Sequence, residues 1–567
     1  MYFQYNKSMQ NFFSRHIFTV LLLLLILFGA LLRLYNLNWG APFYFNPDER
    51  NIASAISQLQ FPNQMNPHFF AYGSLPIYLI YFSRMLINFS TNCHLSFINC
   101  AVTFEQAILD SRILSALFGI LIIPLMYFIG KQLKNKQTGI LLAFITTASI
   151  GLIQYSHFGT YETIITFFTT LLFFVCLKLL QKQDLFNLFL ASLISGILIS
   201  CKVNTVILLF IPLGILFINL FRGLRDLSLK RKLLKLLYAS SALLTYLLII
   251  FCVFMLTNPY AFWDFNSFLG TIHYESSVAL GTESVFYTGE FFSTVPILYQ
   301  VQHVLPFLIT PFLMLFLVPA LAYIFIKSII KPHHLKFFLL IVFLLLTFIP
   351  QAILFVKWAR YMVPVIPFFY CCIALFIIEG IGYLKEHFHY YYRLILISSV
   401  VGICVCCVYT LAFLITVYIE PDTRIAAAQY ANKHISSNAP ILSEVYDLGI
   451  TAFNPYFQNI KLFNFYDLDN NSPEINPTTL QQNLQTSDYI ILPSQRILKI
   501  RLQYTKKFPK GNAFYKRLLS GKNGFRKIYE TPCNIWCLIT YSGNPVNSYE
   551  ETASVFDRPT IYIFKKK

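Results

Sequence analysis

The chain has 567 residues, of which 56% are hydrophobic and only 12% charged. Soluble globular chains carry about 25% charged residues, so this composition excludes an ordinary soluble protein and reads as a polytopic α-helical membrane protein. The net charge of +18 falls in alternate short loops rather than in a groove-like stripe, which is a topology signal and argues against nucleic-acid binding.

A membrane span needs about 20 apolar residues. Runs of that kind are expected at 16–34, 111–130, 138–155, 161–180, 185–201, 203–221, 233–257, 304–327, 336–356, 361–384 and 393–418. The first reads as a retained anchor rather than a signal peptide, because Arg33-Leu34-Tyr35 is not a small-residue cleavage site. Lys and Arg gather in one set of alternate loops, while the short turns of the other set carry only Lys202, Lys357 and Arg360. The positive-inside rule then places the N-terminus in the cytoplasm, and eleven spans place the C-terminus outside.

Three outer segments are long: 35–110, 258–303 and 419–567. Residues 1–418 are therefore expected to form a transmembrane domain. The tail 419–567 changes character and is expected to form a small extracytoplasmic α/β or α+β domain. It holds a helix over 423–435, a strand over 440–445, and strand-like runs at Tyr489–Leu492 and Ile561–Phe564. Of the 12 Cys, eight lie in apolar runs as small hydrophobes. Cys93 with Cys100 and Cys533 with Cys537 are candidate disulfides, which the spacing alone leaves open.

An acidic pair, Asp48 and Glu49, stands in Phe45-Asn46-Pro47-Asp48-Glu49-Arg50 just past the first span. The residues that follow read as a helix with Asp48 as its N-cap; the functional alternative is a carboxylate base near the membrane plane. Lys202, Lys357, Arg360 and Tyr361 lie on the same side. Cations there run against the charge bias, so they suggest an anionic partner such as a phosphate. Each taken singly also fits a snorkelling side chain at a helix end. Further substrate-site candidates are His68, Tyr72, Arg112, His157, Glu162, Asn258 and His273. No metal-ligand spacing, serine elbow or Cys-His signature occurs, so neither a metal, a cofactor nor covalent acyl chemistry is expected.

The order of these stretches resembles the membrane C-type (GT-C) glycosyltransferases, in particular the protein O-mannosyltransferase and lipid A aminoarabinose transferase group. The resemblance covers roughly residues 16–420. It rests on Asn46-Pro47-Asp48-Glu49, Tyr72-Gly73-Ser74-Leu75-Pro76 and Asp110-Ser111-Arg112, then on Ser156-His157, Cys201-Lys202-Val203-Asn204, Asn258-Pro259-Tyr260 and Arg360-Tyr361-Met362-Val363-Pro364. It implies transfer of a sugar from a polyisoprenyl-phosphate donor to a lipid, glycan or protein acceptor on the outer side. Asp48 would be the base, Glu49 a supporting acid, and Lys202 and Arg360 would lie near the lipid phosphate. Many relatives have Tyr-Pro-Pro or His-Pro-Pro where this chain has Tyr72-Gly73-Ser74-Leu75-Pro76. The membrane is expected to be a prokaryotic plasma membrane. The alternative reading is a polytopic transporter or lipid flippase, which calls for paired helix halves and midplane charges.

Overall fold

The structure is a computed structural model and describes residues 2–91, 101–182, 184–221, 228–283, 285–330, 335–388, 392–445, 454–469, 477–544 and 549–567. Nine helices among these are long and apolar enough to cross a membrane, beginning with His16–Leu34 and ending with Ile397–Ile419. A bent pair, Lys136–Thr147 and Ile150–His157, which meet at 51°, makes a tenth when its two halves are counted as one broken span. The expected span at 185–201 is the apolar helix Leu185–Cys201 of 17 residues. Every expected run thus falls on an apolar helix. Leu23, Leu27 and Leu31 of the first are about 60% exposed, as lipid-facing side chains are when no lipid surrounds them.

Two boundaries differ from expectation. The eighth span starts at Pro311, not 304, because Thr310 breaks the chain before it with φ at 82°. The tenth expected span starts earlier, as the 3₁₀ turn Ala359–Val365 precedes its α-helix Ile366–His387. The bend between Thr147 and Ile150 has a visible cause. Ser149 caps the second half through Leu152 N, and the buried Arg33 guanidinium donates to the carbonyls of Thr146 (2.8 Å) and Thr147 (3.3 Å) freed by the break. Gly130 and Gly139 let the neighbouring helices touch, since a Cβ on Gly130 would lie 2.7 Å from the Gly139 Cα.

The tail carries a five-stranded sheet. Its strands are β1 (Ile441–Glu444), β2 (Ile460–Phe463), β3 (Tyr489–Leu492), β4 (Phe525–Glu530) and β5 (Tyr562–Lys566), in the order β2-β1-β3-β5-β4. β1 pairs in parallel with β2 and β3, while β5 runs antiparallel to β3 and β4. Leu442, Ile490, Tyr515 and Phe564 fill one face of the sheet; Ile441, Ile491, Ile563 and Ala427 fill the other. The expected helix and strands of the tail appear at Thr423–His434, β1, β3 and β5.

The tail is also built into the helical bundle. Cys537, Tyr541, Tyr549 and Ala553 belong to the same apolar core as the spans. Tyr409 of the last span donates to the Thr540 carbonyl at 2.8 Å, and the Gln154 side chain donates to Asp557. Cys533 and Cys537 form a disulfide. The Cys93–Cys100 pairing lies outside the described residues.

Candidate active site

The acidic pair divides at once. The helix Pro47–Ser57 is capped by Asn46, whose side chain accepts from Asp48 N (3.0 Å) and Glu49 N (3.4 Å). Asn46, not Asp48, is therefore the N-cap, and Asp48 keeps its carboxylate for other partners in the first helical turn. The next residue is rotated about 100° around the axis, so the two acids point apart.

Asp48 faces a cavity of about 1060 Å³ whose wall also holds Tyr72, Lys202, Asn258, Arg360 and Tyr361. Arg360 donates to Asp48 Oδ2 and lays its guanidinium 4.2 Å over the Trp358 ring. Lys202 joins the helix Leu185–Cys201 to the 3₁₀ turn Val203–Leu209 in extended backbone. Its ammonium sits 5.0 Å from the ring centroids of both Tyr72 and Tyr361. Both cations therefore come from breaks between spans, where irregular backbone lines a cavity. Burial pulls the Lys202 ammonium below its ordinary value, and Glu162 opposes the shift.

Glu162 opens the helix Glu162–Gln181 and is almost fully buried. It accepts from the Tyr72 hydroxyl at 3.2 Å, and its Oε2 has no hydrogen-bond partner among the described residues. It lines two smaller cavities beside the main one, each shared with Arg360. Burial, with Glu162 and Asp48 nearby, holds the Tyr72 phenol well above its ordinary value. The loop bearing Tyr72 is fixed by backbone. Gly73 N donates to the Cys201 carbonyl at 2.9 Å, and Asn258 Oδ1 accepts from Ser74 N at 2.7 Å. Gly73 is required there, since a Cβ would stand 1.9 Å from the Ser200 oxygen.

Six expected site residues line none of these three cavities. Glu49 is fully buried and is gripped from both nitrogen positions by Arg112. Arg112 also donates to the carbonyls of Leu37 (2.7 Å) and Trp39 (2.8 Å), and Gly159 N donates to Glu49 at 3.0 Å. Both side chains are spent on locking the helix Pro47–Ser57 and the loop before it to the helix Phe104–Leu133 and the turn at Gly159. His157 is buried, with ring nitrogens 2.9 Å from the carbonyl oxygens of Ile153 and Tyr35, and stacks on Tyr418. Lys357 turns back to the Phe355 carbonyl at 2.8 Å, and burial lowers its ammonium. His68 is 60% exposed and lies 4.0 Å from Asp264, while His273 faces solvent.

Four charged residues of the cavity wall lie outside the candidate set drawn from the sequence: Glu275, Arg424, Arg496 and Glu551. The first sits in the acidic segment 258–303, which has no Lys or Arg to balance it. Burial raises the Glu275 carboxyl, and Arg360 and Lys202 act against that shift. The other three come from the tail, whose fold brings them back over the bundle. Among the described residues no group of three or more His, Cys, Asp or Glu is placed to hold a metal ion.

A family model described as dolichyl-phosphate-mannose-protein mannosyltransferase matches residues 64–266. No curated protein sequence matches the chain. Among solved structures, the Archaeoglobus fulgidus oligosaccharyltransferase in the apo form is similar at 13% identity and TM-score 0.50, over 98% of this chain and 89% of that one. ArnT from Cupriavidus metallidurans, bound to undecaprenyl phosphate, is similar at 12% identity and TM-score 0.41, over 84% of this chain and 93% of that one. The S. cerevisiae Pmt1-Pmt2 complex bound to the sugar donor is similar at 17% identity and TM-score 0.33, over 44% of this chain and 34% of that one. The oligosaccharyltransferase likeness is one of fold. The chain is thus a polytopic membrane protein that shares its fold with that oligosaccharyltransferase and, over residues 64–266, resembles the dolichyl-phosphate-mannose-protein mannosyltransferases.

Proposed function

We propose that the protein transfers a sugar from a polyisoprenyl-phosphate donor to an acceptor hydroxyl in a single inverting displacement. The observation that carries this reading is one cavity wall holding a carboxylate, Asp48, beside two cations, Arg360 and Lys202. The description of the matching family model, which names a dolichyl-phosphate-linked sugar, supports the donor class.

Asp48 takes the proton from the acceptor hydroxyl as its oxygen bonds to the anomeric carbon. The bond from that carbon to the phosphate oxygen breaks, and the polyisoprenyl phosphate leaves with the electron pair from the opposite face. Arg360 and Lys202 stabilise the charge gathering on it, the first as a planar fork and the second as a point charge. Part of the wall is apolar, with Ile199, Val203, Val206, Ile207 and Leu354, and suits the isoprenyl chain. Glu49 and Arg112 position Asp48 by fixing the helix that bears it.

The loop charges support a reading with this cavity on the outer side of the membrane, the N-terminus cytoplasmic and the 419–567 region extracytoplasmic. A Cys533–Cys537 disulfide agrees with an oxidising side. The test is transfer by purified protein from a panel of polyisoprenyl-phosphate sugars, wild type beside Asp48→Asn. Transfer or donor hydrolysis by wild type alone is expected. Equal activity in both removes Asp48 from the chemistry, and silence in both with folded samples counts against the donor class.

A further inference from the structure

The parallel half of the tail sheet opens onto the same cavity. β1 lies between β2 and β3, so the chain leaves β1 first for one neighbour and later returns to the other. In open α/β sheets the crevice outside the carboxyl ends of the strands at such a switch point is where ligands bind. Val445 directly follows β1, Pro493 and Ser494 directly follow β3, and all three line the cavity.

Two charged side chains complete that wall. Arg496 opens the helix Arg496–Gln503 and pairs with Glu551 at 3.3 Å, with side chains only 11% and 6% exposed. Glu551 also lines the small cavity that holds Asp48 and Arg360, so the pair lies between the strand ends and the base. The mechanism above uses neither residue.

The charges of the wall indicate what can enter. Arg424 is held on both oxygens of Asp422, which leaves Lys202, Arg360 and Arg496 facing Asp48, Glu275 and Glu551. A donor phosphodiester adds one negative charge, so the wall keeps no surplus cation for a second anion. A phosphate or carboxylate on the acceptor would then be buried without compensation. A neutral polyol fits instead. Arg offers only donors and Glu only acceptors, and adjacent sugar hydroxyls supply both partners. Phe286, Tyr287 and Phe556 add apolar ring faces beside the pair.

We propose that this crevice is the acceptor subsite and takes an uncharged, hydroxyl-rich acceptor, a glycan chain, held by the Arg496–Glu551 pair with one hydroxyl turned to Asp48. The inference rests on the donor reading above and specifies its other substrate.

The test measures binding to the full-length protein in detergent. Undecaprenyl phosphate is the donor-side probe. The acceptor-side probes are a library of neutral gluco-, manno-, galacto- and arabino-oligosaccharides, phosphorylated lipid A, and a Ser/Thr peptide. Hydrogen-exchange protection at 493–500 and 549–557 is expected from a member of the neutral library and from neither other probe. Glu551→Gln and Arg496→Gln should weaken that oligosaccharide about tenfold or more, as loss of a hydrogen bond to a charged group does. Arg496→Lys, which keeps the charge and loses the fork, should stay weak. Undecaprenyl phosphate affinity is read on every variant: a loss larger for the oligosaccharide is expected, and an equal loss of both marks a structural role and overturns the subsite. Protection by lipid A or the peptide, or by no acceptor probe while undecaprenyl phosphate binds, overturns this inference alone. Failure of wild type to bind undecaprenyl phosphate overturns the donor reading as well.

Discussion

Asp48 and Arg360 are 312 positions apart in the chain and form an ion pair on the wall of the cavity. The pair is partly exposed, with side chains 28% and 21% accessible. Such a pair is exchangeable: an entering phosphate can take Arg360 and leave the carboxylate facing the acceptor. Asp48→Asn keeps the shape and removes the base, so transfer should fall about 10²–10⁴-fold. Arg360→Lys keeps the charge without the fork and should raise the donor KM. Steady-state kinetics with donor and acceptor varied separately checks both. An Asp48→Asn enzyme with normal kcat would remove the base.

Glu49 and Arg112 behave differently because nothing can exchange with them. Both side chains are fully buried. Glu49→Ala leaves a guanidinium buried without its counter-charge, which costs about 3–5 kcal/mol. The expected result is a clear loss of thermal stability in detergent, with transfer falling in proportion to folded protein. A Glu49→Gln protein with wild-type Tm and no transfer would instead put Glu49 in the chemistry.

These two pairs show what the sequence reveals and what it hides. Span positions are legible because twenty apolar residues in a row have few other uses. Lys202 and Arg360 are legible because each breaks the charge bias at a short turn. Yet Lys357 breaks the same bias and folds back to the Phe355 carbonyl. Bias reports the side of the membrane, not side-chain direction. His157 and Arg112 are polar residues in apolar surroundings, which a sequence cannot divide into ligands and locks. Their carbonyl partners, Tyr35 and Leu37, are distant in the chain. Arg496 and Glu551 were hidden for another reason: a soluble-looking tail gives no sign that its strand ends face the bundle.

Gly73 joins local backbone to the site. Its Cα lies so close to the Ser200 carbonyl that an alanine Cβ would stand 1.9 Å from the oxygen. The clash is with backbone, so the loop must move. That movement breaks the Gly73 N to Cys201 O hydrogen bond and shifts Tyr72, which stacks on Lys202. Gly73→Ala should therefore lower transfer at least about tenfold while the spans stay folded, a loss of about 1.4 kcal/mol in the barrier. Activity beside Tm measures it, and a fully active Gly73→Ala would show that the Tyr72 loop does not position Lys202.

Asp557 ties the tail to the bundle through Gln154, and its stability contribution depends on pH. Burial pushes its carboxyl up from 3.8 to about 8, against the Gln154 hydrogen bond and Arg424. Asp422 adds to the rise, and Glu550 is itself raised by burial beside Glu551 and Glu290. The folded protein thus holds a proton that the unfolded chain releases above about pH 4. Stability is fullest below that point, falls as pH rises toward 8, and levels off above it. Tm in detergent from pH 5 to 9 should show this decline. Asp557→Asn keeps an oxygen for Gln154 and removes the charge, so its curve should be flatter and higher at pH 8. Glu550 leaves a residual slope. A wild-type Tm that rises across this range, or an Asp557→Asn curve as steep as wild type, would detach the pH response from Asp557.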